Sequence, residues 1–261
     1  MKWCRFQAGS KVSYGVVEGG RVAEVDGSPF EAHKKTGKSH ALDSVKLLIP
    51  CFSPTVYAGG APNYVKHLEW ANSYFGASFK HPKEAHTGYR ASNAFIAHNE
   101  NIVIPRGAKE VHYEGELVAV IGKKAKRVTP EQALDYVLGY TIGNDVSERT
   151  WQFADPTWWR AKNSDTFKPI GPWIETDVDV DNAMTIVRLN GKVVSEFRTG
   201  DFIFGVAEYI SAISQYITLV PGDTLWMGTD LATLPAIKPG DKVDIDITGI
   251  GTLSNPVIAD K

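Results

Sequence analysis

The chain contains little cysteine and no long hydrophobic run. Cys4 and Cys51 are its two cysteines, and they are not spaced as a pair, which argues against a zinc site and a disulfide framework. No stretch approaches the ~18 uninterrupted apolar residues of a membrane span. The opening residues, Met1 to Phe6, are not followed by an apolar segment of signal-peptide length. We therefore expect a cytoplasmic protein that does not enter a membrane.

The chain also lacks an excess of charge of either sign. Its 28 basic and 30 acidic side chains give a formal net charge of −2, so no basic field would attract nucleic acid or anionic lipid. Hydrophobic residues make up 43% of the 261 residues, an ordinary fraction for a globular protein. The length suits one large domain, or one domain with a small appendage. We expect neither nucleic acid nor a membrane as a partner.

Short alternating segments punctuated by glycine fill the beginning of the chain. Three such segments lie between residues 2 and 25, and Asp26-Gly27 follows them as a turn signal. This pattern predicts a small antiparallel meander. We therefore divide the chain into a β-rich N-terminal module over residues 1–50 and a main domain over residues 54–261, with the junction between Pro50 and Pro54.

The rest of the chain has many strand signals and few helix signals. Thr129, Pro130 and Gln132 resemble a capped helix start, which Gly139 would end. The other predicted elements are a long loop over residues 71–100, a charged edge strand over 177–181, a hairpin turn at Asn190-Gly191, a helix over 206–215 and an alternating strand over 243–247. Together they predict an α+β fold with a dominant, mostly antiparallel β core.

Glu114 and Glu116 are the first candidate functional residues. They lie at positions i and i+2 of a segment rich in valine, leucine and isoleucine, so on a strand both carboxylates would face the same side, roughly 6–7 Å apart. Two such carboxylates repel unless a cation or a shared proton holds them. A hard cation such as Mg²⁺, Mn²⁺ or Ca²⁺ would do so. Taken alone, however, the pair favours two solvated glutamates on the open face of a strand.

Several motifs in one order resemble the fumarylacetoacetate hydrolase superfamily. They are the segments at 113–117, 139–149, 162 with 165–172, 214–215, 219–223, 228–229 and 249–257. The resemblance covers residues 54–261, and the first fifty residues also look like the short N-terminal module of this family. It implies a mixed β-roll or β-sandwich with few helices, usually assembled as a homodimer. Among its members, the chain is most similar to acylpyruvases and 2-hydroxyhepta-2,4-diene-1,7-dioate isomerases.

The resemblance also implies a metal site and a substrate site. Glu114, Glu116 and Asp145 match the three carboxylates that hold Mg²⁺ or Mn²⁺ in the family, with Ca²⁺ as an alternative. Lys162 and Arg149 match residues that neutralise the carboxylate or enolate of the substrate, and Lys162 would thereby be catalytic. The alternative for these two cations is ordinary solvated surface. The remaining implied substrate contacts are Gln152, Thr229 and Tyr64.

A general base is implied less completely. Hydrolases of the family resemble Asn-Tyr-x-x-His-x-x-Glu in their lid segment, and Asn63, Tyr64 and His67 match this motif. Trp70 stands where the glutamate would be, and Glu69 would point away from His67 on a helix. We expect His67 to be the catalytic base, with Glu84 as one candidate acid partner. Otherwise His67 would be a lid histidine in contact with the substrate.

Two further departures concern the distal part of the substrate. Asp230 follows Gly228-Thr229 where the family commonly has proline, and its charge would favour a polar or cationic distal group. Aromatic residues of the lid region would suit a bulky or ringed distal part; they are Trp70, Tyr74, Phe75 and Phe79.

From these residues we expect a metal-dependent hydrolase of a 2-oxo acid. It would cleave a C–C bond in an acylpyruvate or fumarylpyruvate-like substrate and leave pyruvate enolate on the metal, with His67 activating water. Decarboxylation, isomerisation or dehydration of a related 2-oxo acid on the same site is the alternative, since these need no activated water. A second alternative is a non-catalytic protein that binds a metal or metabolite.

Overall fold

The structure is a computed structural model, and it describes residues 1–59, 62–76, 78–230 and 235–261. Its strands are β1 Lys2–Ala8, β2 Lys11–Glu18, β3 Arg21–Asp26, β4 Lys34–Ala41, β5 Lys46–Leu48, β6 Val56–Gly59, β7 Thr87–Arg90, β8 Phe95–Ile96, β9 Ile102–Ile104, β10 Val111–His112, β11 Gly115–Ile121, β12 Val137–Asn144, β13 Ser147–Glu148, β14 Lys168–Glu175, β15 Met184–Leu189, β16 Lys192–Arg198, β17 Thr224–Trp226, β18 Lys242–Ile247 and β19 Gly251–Ala259. The helices are α1 Val65–Phe75, α2 Pro130–Ala133, α3 Arg149–Ala154, α4 Trp159–Asn163 and α5 Val206–Tyr216.

Two sheets and a two-stranded ribbon organise the described residues. The large sheet has the order β4-β3-β2-β1-β14-β12-β11-β17-β6-β7, with β5 added beside β1 and β8 beside β14. The second sheet has the order β16-β15-β18-β19-β9, and β10 pairs with β13 in the ribbon. Most of these pairings are antiparallel, while β6 with β17, β8 with β14 and β9 with β19 are parallel. The predicted α+β fold with a mostly antiparallel core is confirmed.

The N-terminal residues form the predicted meander and also join the main sheet. β1 to β4 pair in sequence order. β1 then pairs with β14 through Lys2 opposite Glu175 and Trp3 opposite Ile174. The outer strand β4 is lysine-rich and mostly exposed, as is common for sheet edges that must not recruit another strand.

The two sheets pack face to face around β11, which is buried along its whole length. A Cβ at Gly115 would lie 3.0 Å from a methyl carbon of Val187 and 3.1 Å from one of Ile245. This close approach places the start of β11 directly over β15 and β18. Glu114 and Glu116 flank Gly115 and are therefore anchored at this close contact between the two sheets. No helix in the described part of the chain is long and apolar enough to cross a membrane.

The helix predicted over residues 129–139 is wrong in its extent. It is present only as α2 and a 3-10 turn over Leu134–Tyr136, and β12 begins at Val137. Thr129 makes no side-chain capping hydrogen bond. Gly139 lies inside β12, where a Cβ would meet the Glu175 carbonyl oxygen at 2.4 Å. Pairing of β12 with strands on both sides therefore overrides the local helix signal.

Two other predicted segments also differ. Residues 71–100 are not one long loop, because α1 extends to Phe75 and β7 and β8 follow it. Residues 177–181 form part of the connection between β14 and β15 rather than an edge strand. Three predictions are confirmed: Asn190 and Gly191 have φ angles of 53° and 79°, as a type I′ turn requires, and α5 and β18 lie where expected.

Candidate metal centre and active site

The register of β11 and β12 brings three carboxylates together. Gly115 pairs with Asn144 and Glu116 with Gly143, so Glu114 and Asp145 lie next to each other at the ends of the two strands. The Asp145 amide donates to the Glu114 carbonyl oxygen at 2.9 Å. Glu116 lies two residues after Glu114 and faces the same side. The strand spacing inferred from the sequence therefore holds, although Glu114 itself immediately precedes β11.

The three carboxylates form a compact and buried cluster. One oxygen of each of Glu114, Glu116 and Asp145 lies within 4.8 Å of the others, and the three residues are 4%, 4% and 3% exposed. A donor set made only of carboxylate oxygens suits a hard divalent cation such as Mg²⁺, Mn²⁺ or Ca²⁺. We refer to these residues as the carboxylate triad.

Lys162 and Arg149, which the resemblance implied as substrate contacts, both contact the triad. Lys162 Nζ donates to Glu114 Oε2 at 2.6 Å and to Asp145 Oδ2 at 3.0 Å. Arg149 Nη2 lies 2.7 Å from Glu114 Oε1. Both residues are at most 4% exposed, so the alternative of solvated surface is wrong. They come from α3 and α4, which follow Asp145 closely in the chain.

Two more cations of the site were missed from the sequence. Arg90 donates to Asp145 through Nε and Nη2, with Nη2 3.1 Å from Oδ2. Lys168 Nζ lies 2.6 Å from Asp145 Oδ1. Lys168 belongs to one of the motifs that carried the resemblance, whereas Arg90 lies in the segment that was predicted to be a loop. A general excess of cations around Asp145 could not be inferred from local sequence.

The cations of the protein compensate the charge of Glu114 but not that of Glu116. Burial raises the pKa of Glu114, but Lys162 and Arg149 outweigh it and hold this pKa below its usual value. Burial, Asp145 and Glu114 raise the pKa of Glu116 to about 8. Glu116 Oε2 accepts a hydrogen bond from the Gly228 amide at 2.7 Å. A divalent cation beside Glu116 would supply the missing positive charge, so the residues present fit such an ion.

His67 lies on α1 and lines the cavity that lies above the carboxylate triad. Burial lowers its pKa to about 4, although Glu114 opposes the shift, so its imidazole is neutral near pH 7 and able to accept a proton. Its Nδ1 is buried without a hydrogen-bond partner, and no carboxylate among the described residues hydrogen-bonds to its ring. Glu69 is exposed, and the Trp70 ring meets the imidazole edge-on with centroids 5.4 Å apart.

Glu84 does not complete a pair with His67. Its side chain is 78% exposed and lies 3.8 Å from His86, which is also on the surface. The suggestion that Glu84 replaces the missing lid glutamate is therefore wrong, because it is solvated and already adjacent to another histidine.

Of the other implied substrate contacts, two line the cavity and one does not. Gln152 and Thr229 are lining residues, and Gln152 Oε1 accepts a hydrogen bond from Arg149 Nη1 at 2.9 Å. Tyr64 is buried elsewhere, and its hydroxyl donates to the Thr199 carbonyl oxygen at 2.7 Å. We correct its role accordingly: Tyr64 anchors the beginning of α1 and does not reach the substrate site.

The residues expected to select the distal part of a substrate are arranged differently. Asp230 is buried, and Lys66 on α1 donates to its Oδ2 at 3.2 Å, so this charge is paired and does not line the cavity. Trp70 and Tyr74 stack on each other with centroids 4.7 Å apart. Phe79 is 51% exposed, and the side chain of Phe75 lies outside the described part of the structure.

The cavity above the triad is small, with a volume of about 40 Å³. Its lining residues are Ala58, Gly59, Pro62, Asn63, His67, Arg90, Glu114, Glu116, Asp145, Gln152, Trp158, Lys162, Gly228 and Thr229. Trp158 has a φ angle of 55°, a conformation that bulky residues rarely adopt. A small anionic molecule would meet carboxylates, cations and one neutral imidazole within this space.

Two family models match the chain. The model described as fumarylacetoacetate (FAA) hydrolase, C-terminal, matches residues 57–258. A second model, described as Rv2993c-like, N-terminal, matches residues 1–50.

Curated relatives cover several activities. Protein Rv2993c of Mycobacterium tuberculosis is 41% identical over 238 residues, which are 90% of this chain and 87% of the relative. The 4-hydroxyphenylacetate degradation bifunctional isomerase/decarboxylase of Salmonella dublin is 37% identical over 74% of this chain, but only 46% of that longer protein is matched. The mitochondrial oxaloacetate tautomerase fahd2 of Xenopus laevis is 35% identical over 87% of this chain and 76% of the relative.

Solved structures share the fold over the whole chain. The 5-carboxymethyl-2-hydroxymuconate delta-isomerase from Mycobacterium smegmatis is 36% identical with a TM-score of 0.89, and each chain is covered completely. The 2-hydroxyhepta-2,4-diene-1,7-dioate isomerase from Mycobacterium marinum is 37% identical with a TM-score of 0.88, covering 100% and 99% of the two chains. Maleylpyruvate hydrolase from Sphingobium sp. SYK-6, solved with manganese(II) and pyruvate, is 23% identical with a TM-score of 0.80 and complete coverage.

Proposed function

The chain belongs to the fumarylacetoacetate hydrolase family, and from this premise we propose that it is a divalent-metal-dependent enzyme acting on a small 2-oxo acid. One observation carries the proposal: the buried triad of Glu114, Glu116 and Asp145 opens into a cavity that also holds Lys162 and a neutral His67. Relatives are named as isomerases, as a tautomerase and as a bifunctional isomerase/decarboxylase, and each of these reactions of a 2-oxo acid passes through an enol or enolate.

The triad would hold Mg²⁺ or Mn²⁺ through carboxylate oxygens. When bound, such an ion would supply Lewis acidity toward the 2-oxo and carboxylate oxygens of the substrate. The manganese in the maleylpyruvate hydrolase complex agrees with this choice of ion, although that protein shares only the fold with this chain.

Lys162 and Arg149 would receive the negative charge of the substrate. Lys162 Nζ lies between Glu114 and Asp145, so it is placed to stabilise charge that develops on the 2-oxo oxygen. Arg149, held by Gln152 and paired with Glu114, does not line the cavity and would offset the negative charge of the substrate without contacting it. Charged donors that are fixed in advance within a buried site stabilise such charge far better than donors in water.

His67 would move a proton at C3 of the substrate. The imidazole would take the C3 proton, and the electron pair of the C–H bond would move into the C2 carbonyl. Return of the proton to the oxygen completes a tautomerisation, and return to a different carbon completes an isomerisation. Because no carboxylate among the described residues is hydrogen-bonded to His67, we favour proton transfer to and from carbon over activation of water. Decarboxylation would need the same enolate stabilisation but no base.

Hydrolysis of a C–C bond is the second candidate. The observation in its favour is that His67 lines the cavity and is unprotonated at pH 7, because burial lowers its pKa to about 4. Water would then attack the distal carbonyl carbon, and cleavage of the adjacent C–C bond would leave the enolate of pyruvate.

Binding of oxalate tests the site. Oxalate is a planar dianion that resembles the enolate of a 2-oxo acid. Calorimetry should detect oxalate binding only with Mg²⁺ or Mn²⁺ present, and Glu116→Ala should abolish it. Glu196→Ala, a substitution on the exposed face of β16, is the control and should bind normally. Oxalate binding in the absence of a metal, or oxalate binding by the Glu116→Ala variant, would overturn the site assignment.

A panel of 2-oxo acids then separates the reactions. A change in enol absorbance without release of pyruvate or CO₂ would indicate tautomerisation or isomerisation. Release of CO₂ would indicate decarboxylation. Release of pyruvate together with a second acid would indicate hydrolysis. For a proton-transfer reaction, His67→Gln should lower kcat by about 10²- to 10⁴-fold while oxalate binding changes little. Metal-dependent oxalate binding without turnover of any member would support the non-catalytic alternative.

We further propose that the chain functions as a homodimer, as its family resemblance implies. One chain has a mass of 28.6 kDa, and light scattering on the purified protein should give twice this value. A monomer at micromolar concentration would contradict this.

A further inference from the structure

Four residues connect helix α1 to the residues that flank the ribbon, Glu110 just before β10 and Arg149 just after β13, in a closed ring of contacts. The Trp70 ring stacks on Tyr74, with centroids 4.7 Å apart and planes inclined by 22°. The Tyr74 hydroxyl donates to Glu110 Oε1 at 2.7 Å. The Glu110 carbonyl oxygen accepts a hydrogen bond from the Arg149 amide at 2.8 Å, and the Arg149 guanidinium lies over Trp70. We call these four residues the latch.

The contact between Trp70 and Arg149 links the latch to the triad. The guanidinium carbon lies 5.5 Å from the centroid of the Trp70 ring, within the range of a cation–π interaction, for which tryptophan is the best aromatic partner. The same guanidinium reaches Glu114 Oε1 through Nη2 at 2.7 Å. Arg149 is only 1% exposed, and its attraction to the ring is therefore little weakened by water.

We propose that Trp70 is a positioning residue, whose ring holds the Arg149 guanidinium against Glu114 at the edge of the carboxylate triad and so couples the position of α1 to the geometry of the triad. The inference rests on the proposed function, because Arg149 pairs with Glu114, one of the carboxylates of the proposed metal site. Trp70 does not line the cavity and acts on the substrate only through Arg149.

The geometry explains why an aromatic ring is needed. A guanidinium has a flat face as well as donors at its edge. Its edge here serves Glu114 and Gln152, and the π-face of Trp70 meets the guanidinium without competing for those donors. His67 lies on the same helix and meets the Trp70 ring, so a displacement of α1 would move the proposed base and release Arg149 together.

Paired substitutions distinguish this role from simple packing. Trp70→Phe keeps a π-face, whereas Trp70→Leu keeps apolar volume without one. With Mg²⁺ present, Trp70→Leu should weaken oxalate binding by about tenfold, and Trp70→Phe by no more than about threefold. In turnover assays, Trp70→Leu should raise KM by a larger factor than it lowers kcat. Glu69→Ala, an exposed neighbour on α1, should bind as the wild type does. Equal affinity for the leucine and phenylalanine variants would overturn the proposal.

Hydrogen exchange of the metal-free protein gives a second readout that does not need activity. Amides of residues 65–75 should exchange about tenfold faster in Trp70→Leu, while those of α5 should be unchanged. Tyr74→Phe, which removes one hydroxyl and its bond to Glu110, should also speed exchange in α1 and keeps the test available if Trp70→Leu does not fold. Unchanged exchange of the α1 amides in Tyr74→Phe would overturn the latch. If the wild type binds no oxalate, the proposed function fails, but the exchange experiment still decides whether the latch exists.

Discussion

Lys168 Nζ lies 2.6 Å from Asp145 Oδ1, and the Lys168 side chain has no exposure to solvent. Burial lowers the pKa of Lys168 to about 8, although Asp145 opposes the shift. Asp145 also accepts hydrogen bonds from Arg90 and Lys162. One carboxylate of the triad is thus held from three directions by protein cations, which fixes its position independently of any bound ion.

Removing the buried cation should therefore be costly. We expect Lys168→Met to lower the free energy of unfolding by about 3 kcal/mol, because loss of one partner leaves a buried charge poorly compensated. Lys242→Met is the matched control: Lys242 pairs with Asp244 at 3.1 Å, but its side chain is 54% exposed, and such pairs contribute roughly 0–1 kcal/mol. Urea unfolding measures both values. Similar losses in the two variants would show that Lys168 is not a special partner of Asp145.

The position of Asp145 also depends on a tryptophan beneath the strand. A Cβ at Gly143 would lie 2.4 Å from the nearest atom of the Trp226 ring. Gly143→Ala must therefore displace Trp226 or β12, and we expect a loss of about 1–3 kcal/mol with weaker metal-dependent oxalate binding, since Asp145 follows two residues later.

Gly205→Ala provides the comparison for this substitution. Its new Cβ would meet only the end of the flexible Glu208 side chain, at 2.9 Å, and should cost less than about 1 kcal/mol. Thermal unfolding together with oxalate calorimetry measures both effects. Normal oxalate affinity in Gly143→Ala would mean that the triad tolerates movement of β12.

The sequence predicted those parts of the site that depend on local spacing. The two-residue period of a strand predicted that Glu114 and Glu116 face the same side, whereas their assignment as metal ligands, together with Asp145, came from the resemblance to a family. Arg90 and Lys168 could not be found in this way, because strand periodicity does not report which distant cations meet the end of a strand. Tyr64 was assigned to the substrate by its motif, but its hydroxyl found a buried carbonyl partner at Thr199 instead.

The fold shows the same division between local and distant information. The turn at Asn190-Gly191 and the alternation over 243–247 are local signals, and both were correct. The helix expected after Thr129 failed, because β12 gains sheet partners on both sides. Local capping preferences of about 1 kcal/mol do not compete with a fully paired central strand.

Stability should depend on pH through Glu24 in the N-terminal region. A hydrogen bond from Lys11 at 2.7 Å lowers the pKa of Glu24 below 4.5, while burial opposes the shift and a contact with His40 adds to it. A carboxyl with a lower pKa in the folded state stabilises the protein above its unfolded pKa, and this contribution is lost as the pH falls through the folded value.

Glu24→Gln should therefore be less stable than the wild type by about 1 kcal/mol between pH 5 and 8. The difference should shrink as the pH falls below about 4.5. Urea unfolding of both proteins at several pH values measures it. A difference that grows toward acid pH would contradict the direction of the pKa shift.

Addition of a divalent ion should stabilise the wild type but not a variant with an altered triad. Ligand at about 100 times its dissociation constant contributes about 2.7 kcal/mol, so Mg²⁺ or Mn²⁺ should raise the Tm of protein first stripped with a chelator. Glu116→Gln should lose this response. Its metal-free Tm should stay close to that of the wild type, because the amide oxygen of glutamine can still accept the hydrogen bond that Glu116 receives from Gly228.

Glu196→Gln, an exposed substitution on β16, is the control that shows whether loss of the metal-dependent rise in Tm is specific to the triad. That control should keep the full metal-dependent rise in Tm. If Glu116→Gln also keeps it, the ion binds somewhere other than the triad. If Glu116→Gln instead loses stability without metal, the carboxylate has a structural role at Gly228 that a neutral amide cannot fill. Loss of the metal response alone would make Glu116 a ligand whose charge the folded protein itself leaves uncompensated.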